Sequence, residues 1–347
     1  MKAWVLHNIG DIRFDGVEEP TLREQEVLVK VKAAGICGSD IPRIYQTGAY
    51  SHPLIPGHEF SGEVVKVGAL ADTALQGQRV GIFPLIPCRT CPPCRKMQYE
   101  MCRSYSYLGS RQDGGFAEYT AVPQENLIPI PDSVTFEDAA MLEPMAVAVH
   151  AMRRIGVSAD DHIAICGVGT IGLLLYMFLR EAGVQNIYVF GNKDFQKQTL
   201  QKLGLPKECY CDIRKNSTQQ WIQERTDGIG ADVFFECVGK NETLKQAVNQ
   251  TAFAGKIMLV GNPSGDMGLE KSVYWKILRN QLTVKGTWNS SFTGEESDDW
   301  HYVLKRLREK RIAPSELITH RFPLEELERG FHIMRDKTED YVKIIGR

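Results

Sequence analysis

The stretch Ile163-Ala164-Ile165-Cys166-Gly167-Val168-Gly169-Thr170-Ile171-Gly172 constrains this chain more than any other. A short apolar run reads as a buried parallel strand. It meets Gly-x-Gly-x-x-Gly and then Leu173-Leu174-Leu175-Tyr176-Met177-Phe178-Leu179, long enough for a packed helix. Strand, glycine turn and helix in that order are the setting in which such a turn binds a dinucleotide. Gly167 permits the tight turn, Gly169 lets the backbone approach a pyrophosphate, and Gly172 lets the helix pack closely on the strand. Val168, Thr170 and Ile171 complete the loop, and the helix N-terminus offers unpaired N–H groups to the phosphates. A strand-to-helix turn with no ligand is the competing reading; the flanking pattern favours the nucleotide.

A chain of 347 residues is expected to hold two domains, because single cores rarely grow past about 250–300 residues. A net charge of −2 gives no electrostatic reason to expect nucleic acid or an anionic membrane as partner. No apolar run approaches the roughly 20 residues needed to span a bilayer. Met1-Lys2-Ala3-Trp4-Val5-Leu6-His7 lacks the apolar core of a signal peptide. The expectation is a cytoplasmic protein, whose nine cysteines are reduced, buried or metal-bound rather than paired in disulfides.

The first 150 residues carry strand signals at 27–32, 62–67 and 79–83, punctuated by glycine and proline as in a small curved antiparallel domain. Two sets of metal-type residues interrupt them. Cys88, Cys91, Cys94 and Cys102 have the spacing C-x2-C-x2-C-x7-C. Four thiolates so close can close a tetrahedron around a structural zinc, with an iron–sulfur site or a redox pair as rivals. The second set is scattered: Cys37-Gly38-Ser39-Asp40, Gly57-His58-Glu59 and Glu143-Pro144. Cys37, His58 and a carboxylate would give the three protein ligands of an open, catalytic zinc. Asp40 would suit the non-ligating nitrogen of His58. Taken singly, each has a plain structural alternative, and spacing alone does not join them.

Occurring together and in order, these motifs resemble the zinc-dependent medium-chain dehydrogenases/reductases from end to end. Residues 38–44, 58–62 and 108–119 bring the likeness nearer to the polyol dehydrogenases. The resemblance implies an α/β protein with a GroES-like β catalytic domain from 1–147 and 287–347. A Rossmann doubly wound parallel-sheet domain would occupy 148–286. It implies catalytic zinc on Cys37, His58 and Glu143, with Glu59 as a further or exchanging carboxylate, and Ser39 as the hydroxyl that passes the substrate proton outward. Two zincs per chain and a homodimer or homotetramer follow from the same likeness. The substrate implied is a polyol or polyol phosphate. Arg43 and Arg111 are candidate phosphate ligands, and Trp288 and Asn289 candidate residues of the substrate cleft.

Cofactor choice turns on the strand Asn186–Phe190. Its end, about 20 residues past the glycine turn, is where NAD-binding relatives place an acidic residue; here it is Gly191. With no carboxylate to repel a 2′-phosphate, and with Asn192, Lys193 and Lys197 nearby, NADP is favoured over NAD, although Asp194 lies close enough to serve NAD. Non-phosphorylated diols or amino-alcohols such as threonine are alternative substrates. A nucleotide-sensing zinc protein without turnover would have no use for Cys37, Ser39, His58 and Glu143 together.

Overall fold

The computed structural model describes residues 1–347. They form two compact units, 1–146 with 290–347, and 147–289.

Residues 147–289 carry a six-stranded sheet, all of whose pairings are parallel. Its spatial order is Tyr210–Asp212, Asn186–Gly191, His162–Cys166, Ala231–Glu236, Thr251–Leu259, Thr283–Gly286. Counted along the chain that is 3-2-1-4-5-6, the doubly wound Rossmann order, whose direction reverses beside the first strand. Ile163, Ala164 and Ile165 are fully buried, because a parallel strand covered on both faces needs an unbroken apolar run rather than alternation. Phe190 stacks on Phe234 with ring centroids 6.0 Å apart and meets Trp221 edge-on at 5.6 Å within the core of this unit. The helix after the glycine turn spans Thr170–Glu181, longer at both ends than the apolar run suggests.

Residues 1–146 and 290–347 share a seven-stranded sheet with a GroES-like arrangement. Its path is Ile318–Phe322, Lys343–Gly346, Glu26–Ile36, Glu59–Val67, Arg79–Ile82, Leu127–Pro129, and Tyr119–Pro123 also pairs with Glu26–Ile36. The last strand of the chain pairs antiparallel with the long early one, Ile344 opposite Ile36 and Ile345 opposite Gly35. Alternation over 340–345 predicts a strand that closes the first unit. The strand runs Lys343–Gly346, and all four of its residues are buried. It lies between two neighbouring strands, and the apolar side of helix Leu327–Asp336 (Leu327, Phe331, Ile333, Met334) packs in the same core as Ile344. That cover also buries Lys343.

No helix is long and apolar enough to cross a membrane. All nine cysteines are free thiols.

Candidate active site

Three strand ends build the site. Glu26–Ile36 stops just before Cys37, Glu59–Val67 starts just after His58, and Gly35 is the register partner of both Glu59 and Ile345. Cys37, His58, Glu59 and Lys343 are thereby within about one residue of a common line across the sheet. Ligand atoms of Cys37, His58 and Glu59 all lie within 4.8 Å of one another. A Cβ on Gly35 would sit 2.5 Å from Glu59 Oε2 and 2.7 Å from Lys343 Cε. Only glycine leaves room for those two side chains to meet.

Glu143 is the second residue of helix Leu142–Ile155 and is buried. It stands outside the close trio, and its Oε1 accepts a 3.2 Å hydrogen bond from the Tyr107 hydroxyl. The Tyr107 ring meets His58 edge-on, with centroids 5.8 Å apart.

Asp40 is wholly buried. Its Oδ2 accepts the Cys37 N–H at 2.9 Å and its Oδ1 accepts Arg43 Nη1 at 2.6 Å. His58 Nδ1 lies 3.4 Å from the same Oδ1 but off the line of a hydrogen bond. Asp40 therefore stands behind His58, where a carboxylate can orient the imidazole. Ser39 is exposed, and its hydroxyl donates to Cys37 Sγ at 3.3 Å.

The charges are tightly opposed. Burial works against a charged His58, yet the charges of Asp40 and Cys37 outweigh it and hold the imidazole well above its ordinary value. Burial would raise Asp40, but His58 and Arg43 keep it below the usual carboxylate range. Burial lifts Glu143 to about 7, against the pull of His58 and with help from Glu59. Burial would lower Lys343, but Glu59 and Cys37 raise it. A dication bound among these groups would reverse the balance, since it favours every deprotonated ligand.

The four-cysteine lobe is a second cluster, with all four sulfurs within 4.8 Å. Cys91 precedes the short helix Pro92–Arg95, whose first turn holds both prolines. Cys88 Sγ is 4.0 Å from Cys94 Sγ, and Cys91 Sγ is 3.9 Å from Cys102 Sγ. A tetrahedron with metal–sulfur bonds of about 2.3 Å has sulfur–sulfur edges of about 3.8 Å, so the lobe fits zinc closely. Hydrogen bonds from Thr90 and the Cys91 backbone bring Cys88 down to about 5, whereas burial pushes Cys94 up to about 12.

In the other unit Gly167 has φ +104°, which side-chain-bearing residues rarely adopt, and a Cβ on Gly172 would lie 2.0 Å from the Gly167 carbonyl oxygen. Gly169 precedes the first helical residue, Thr170, and a Cβ there would meet nothing within 4 Å. So Gly167 is required by backbone conformation and Gly172 by close approach, while Gly169 leaves open space before the helix.

At the end of Asn186–Gly191, a Cβ on Gly191 would fall 2.4 Å from the Tyr210 hydroxyl, which donates to the Lys193 carbonyl at 3.2 Å. Asn192 and Lys193 follow, exposed. Asp194 is bonded to Arg214 Nη2 at 2.6 Å. Arg214 also forms a two-point pair with Asp212, at 2.8 and 2.7 Å, whose hydrogen bonds draw that carboxyl down to about 2.

The candidate substrate residues are more dispersed. Arg43 is held by Asp40. Arg111 lies between the rings of Tyr50 and Tyr105, 4.3 and 4.2 Å from their centroids, and donates to the Tyr105 carbonyl and the Tyr50 hydroxyl. Trp288 is 56% exposed and Asn289 has φ +50°.

Sequence reasoning passes over Tyr107, Lys343 and Arg214. Tyr107 and Arg214 leave no signal in a single sequence. Lys343 does: a lysine between Val342 and Ile344 within an apolar strand is out of place unless something inside pairs with it.

With this geometry, comparison with known proteins defines the class. Residues 23–132 match the family "Alcohol dehydrogenase GroES-like domain" and residues 170–309 match "Zinc-binding dehydrogenase". The chain belongs to the zinc-dependent medium-chain alcohol dehydrogenases, in their polyol dehydrogenase branch. It is 33% identical over 326 residues to galactitol 1-phosphate 5-dehydrogenase of Escherichia coli, covering 92% of each chain. It is also 33% identical to (R,R)-butanediol dehydrogenase of Bacillus subtilis, covering 100% of this chain and 99% of that one. Among solved structures, galactitol-1-phosphate dehydrogenase from Escherichia coli superposes with a TM-score of 0.91 at 30% identity, covering 99% of each chain. Two further neighbours hold a nicotinamide dinucleotide. A zinc-binding dehydrogenase from Sinorhizobium meliloti bound to NADP has a TM-score of 0.89 at 28% identity, covering 99% and 98% of the chains. An alcohol dehydrogenase from Escherichia coli with NADH has 0.90 at 27%, with the same coverage.

Proposed function

We propose that this enzyme interconverts a secondary hydroxyl of a sugar alcohol and the corresponding ketose, with a polyol phosphate such as galactitol 1-phosphate as substrate. The observation that carries the reading is the cluster of Cys37, His58 and Glu59 with Glu143 beside it. Thiolate, imidazole and carboxylate together suit zinc. Cys37, His58 and Glu143 would hold the ion, with Glu59 as an exchanging carboxylate, and Cys88, Cys91, Cys94 and Cys102 would hold a second, structural zinc. The catalytic ion, when bound, supplies Lewis-acid stabilisation of the alkoxide.

The chain's own residues do the rest. Asp40 orients His58 from behind. Ser39, exposed beside Cys37, takes the hydroxyl proton and passes it to solvent. The Gly167–Gly172 turn would hold the dinucleotide, which when bound would supply the hydride donor or acceptor, and the protein's own part is alignment and exclusion of competing reactions. NADP is the cofactor favoured. An acidic side chain is missing at Gly191, Lys193 follows it, and Arg214 engages both Asp194 and Asp212, the carboxylates that would otherwise oppose a 2′-phosphate.

A free polyol or diol is the second reading, and the state of the two arginines favours it. Arg43 is paired with Asp40 and Arg111 is sandwiched by tyrosines, so a substrate phosphate has to compete for either. We further propose a homodimer through the sheet edge Thr283–Gly286. Its four residues are exposed and unpaired on one side, and Val284, Trp275 and Leu278 are exposed nearby.

The test is a substrate panel pairing each polyol with its phosphate ester, with NAD and with NADP, on protein of measured metal content. Turnover of phosphate esters alone supports the first reading and equal turnover of free polyols the second. No turnover of any secondary alcohol at full zinc loading overturns both.

A further inference from the structure

The long strand Glu26–Ile36 pairs with Glu59–Val67 along most of one side. On its other side Tyr119–Pro123 covers residues 26–30 and Lys343–Gly346 covers 34–36, so Lys32 and Ala33 have no strand beside them there. The register with Glu59–Val67 also slips between Val31 and Ala33, which makes Lys32 the extra residue of a bulge. Folds keep bulges where a side chain has to be re-aimed or pairing has to stop. The break in pairing opens into a hollow of about 500 Å³, within the size range of small-molecule sites.

Phe14, Val31, Ala33 and Leu324 give the hollow an apolar wall. Lys2, Lys30 and Lys32 line it as well, and no carboxylate pairs with any of their three ammonium groups. Lys2 Nζ stands 6.0 Å from the centre of the Phe14 ring. Two side-chain carboxylates, Glu118 and Glu325, share the lining, and Oε2 of Glu118 already accepts the Lys2 backbone N–H at 2.7 Å. Arg347, at the same rim, reaches Glu137 instead, at 3.4 Å. Three uncompensated ammonium groups around a partly apolar hollow repel one another and set up a field that an anion relieves. The hollow is separate from the Cys37 cluster: at about 3.3 Å per strand residue, Lys32 is roughly 16 Å from Cys37.

We infer that this hollow binds a small phosphate monoester with a short apolar body, the phosphate held by Lys2, Lys30 and Lys32 and the body lying against Phe14 and Leu324. An ammonium meets phosphate as a point charge with no fixed fork, so three lysines suit the three terminal oxygens of a monoester. The apolar wall rewards a carbon body that inorganic phosphate lacks. A polyol phosphate is a poor occupant, because its hydroxyls would be buried against apolar side chains. The inference stands whether or not the polyol reading of the catalytic cluster holds.

The test is calorimetric titration with n-hexyl phosphate and with inorganic phosphate, on wild type, the double variant Lys30→Gln/Lys32→Gln, and Cys37→Ser. Wild type should bind one hexyl phosphate per chain, at least about tenfold more tightly than inorganic phosphate, since each buried methylene is worth roughly fourfold. The double variant should bind it at least about tenfold more weakly, the scale of one charge-assisted contact. Its melting temperature without ligand should stay near that of wild type, neither lysine being buried. Binding should persist in Cys37→Ser. Should the double variant not fold, Lys30→Gln alone, at an exposed position, decides by the same tenfold criterion. Equal affinity for inorganic phosphate, or hexyl phosphate binding that ignores the lysines, overturns the inference. Binding lost in Cys37→Ser and kept in the lysine variant would put the ligand in the catalytic cleft and equally overturn it. Lysine-dependent sedimentation with phosphatidic acid vesicles, without binding of hexyl phosphate, would place the anion on a lipid surface and overturn a soluble ligand.

Discussion

The Tyr107 hydroxyl donates a 3.2 Å hydrogen bond to Oε1 of Glu143, joining a residue of the 85–86/106–107 hairpin to the first turn of the helix that begins at Leu142. Tyr107→Phe deletes that donor and almost nothing else. A hydrogen bond to a charged group contributes about 1.5–3 kcal/mol, so kcat/KM should fall by roughly tenfold to hundredfold. The melting temperature should hardly move. Steady-state kinetics with a thermal melt checks both, and an unchanged kcat/KM would remove Tyr107 from the site.

The two cysteine clusters should respond differently. Cys37→Ser should abolish turnover yet leave a folded protein that still binds the dinucleotide, because the open cluster supports chemistry rather than chain conformation. Cys94→Ser should lower solubility or folding yield, since a closed four-thiolate site contributes its binding energy to the fold. Metal analysis should give close to two zincs per wild-type chain and one fewer in Cys37→Ser. Full activity in Cys37→Ser would sink the assignment.

Cofactor preference is open to mutation at Lys193 and Arg214. Lys193→Ala should weaken NADP by roughly tenfold, the scale of one lost charge-assisted contact, and leave NAD nearly untouched. Arg214→Ala frees Asp194 and Asp212 and should move preference towards NAD. Gly191→Asp is a poor probe, because its Cβ would collide with the Tyr210 hydroxyl; weakened binding of both cofactors is expected. A wild type that prefers NAD, and loses that preference in Asp194→Ala, would reverse the reading.

Arg43→Ala separates a phosphate ligand from a support for the site. Removing one partner of a buried ion pair costs about 3–5 kcal/mol, and Asp40 is wholly buried with Arg43 on its Oδ1. The expected result is a lower melting temperature and equal losses of kcat/KM for a polyol and its phosphate. A rise in KM confined to the phosphate ester would instead make Arg43 a substrate contact.

A pH effect on stability is expected away from the site. Asp298 caps helix Asp299–Arg308, and its Oδ1 lies 2.9 Å from His301 Nδ1, a hydrogen bond that raises His301 above 6.5. A histidine raised on folding binds its proton more tightly in the native state. Its stabilisation is therefore complete below pH 6.5 and is lost as pH rises through the raised value. His301 keeps partial contact with solvent while Asp298 is buried, and a single such pair is worth about 1 kcal/mol. The difference in melting temperature between wild type and His301→Gln should shrink over that window; a constant difference would mean the imidazole does not titrate there.

Whatever is local was legible before folding. The run from Ile163 to Gly172 specified strand, turn and helix, because backbone conformation at Gly167 and close packing at Gly172 are demands that only glycine meets. The cysteine lobe was equally legible, since four thiols within 15 residues can reach one ion whatever the rest of the fold does. Cys37, His58 and Glu143 were identifiable as types of ligand, but no spacing rule joins residues so far apart. That Cys37 and His58 meet Glu59, with Glu143 outside the trio on a helix, depends on which strand pairs with which, and that is decided by burying the whole sheet at once. Arg43 differs: its pairing with Asp40 is a local contact three residues apart along a helical segment, and only the burial of Asp40 in the folded unit gives it weight. Lys343 is the extreme case. The alternation showed a strand, and only the cover of helix Leu327–Asp336 and the pairing with Glu26–Ile36 made its lysine a buried charge. Once buried, it needed an anion, and the register of three strands supplied Glu59.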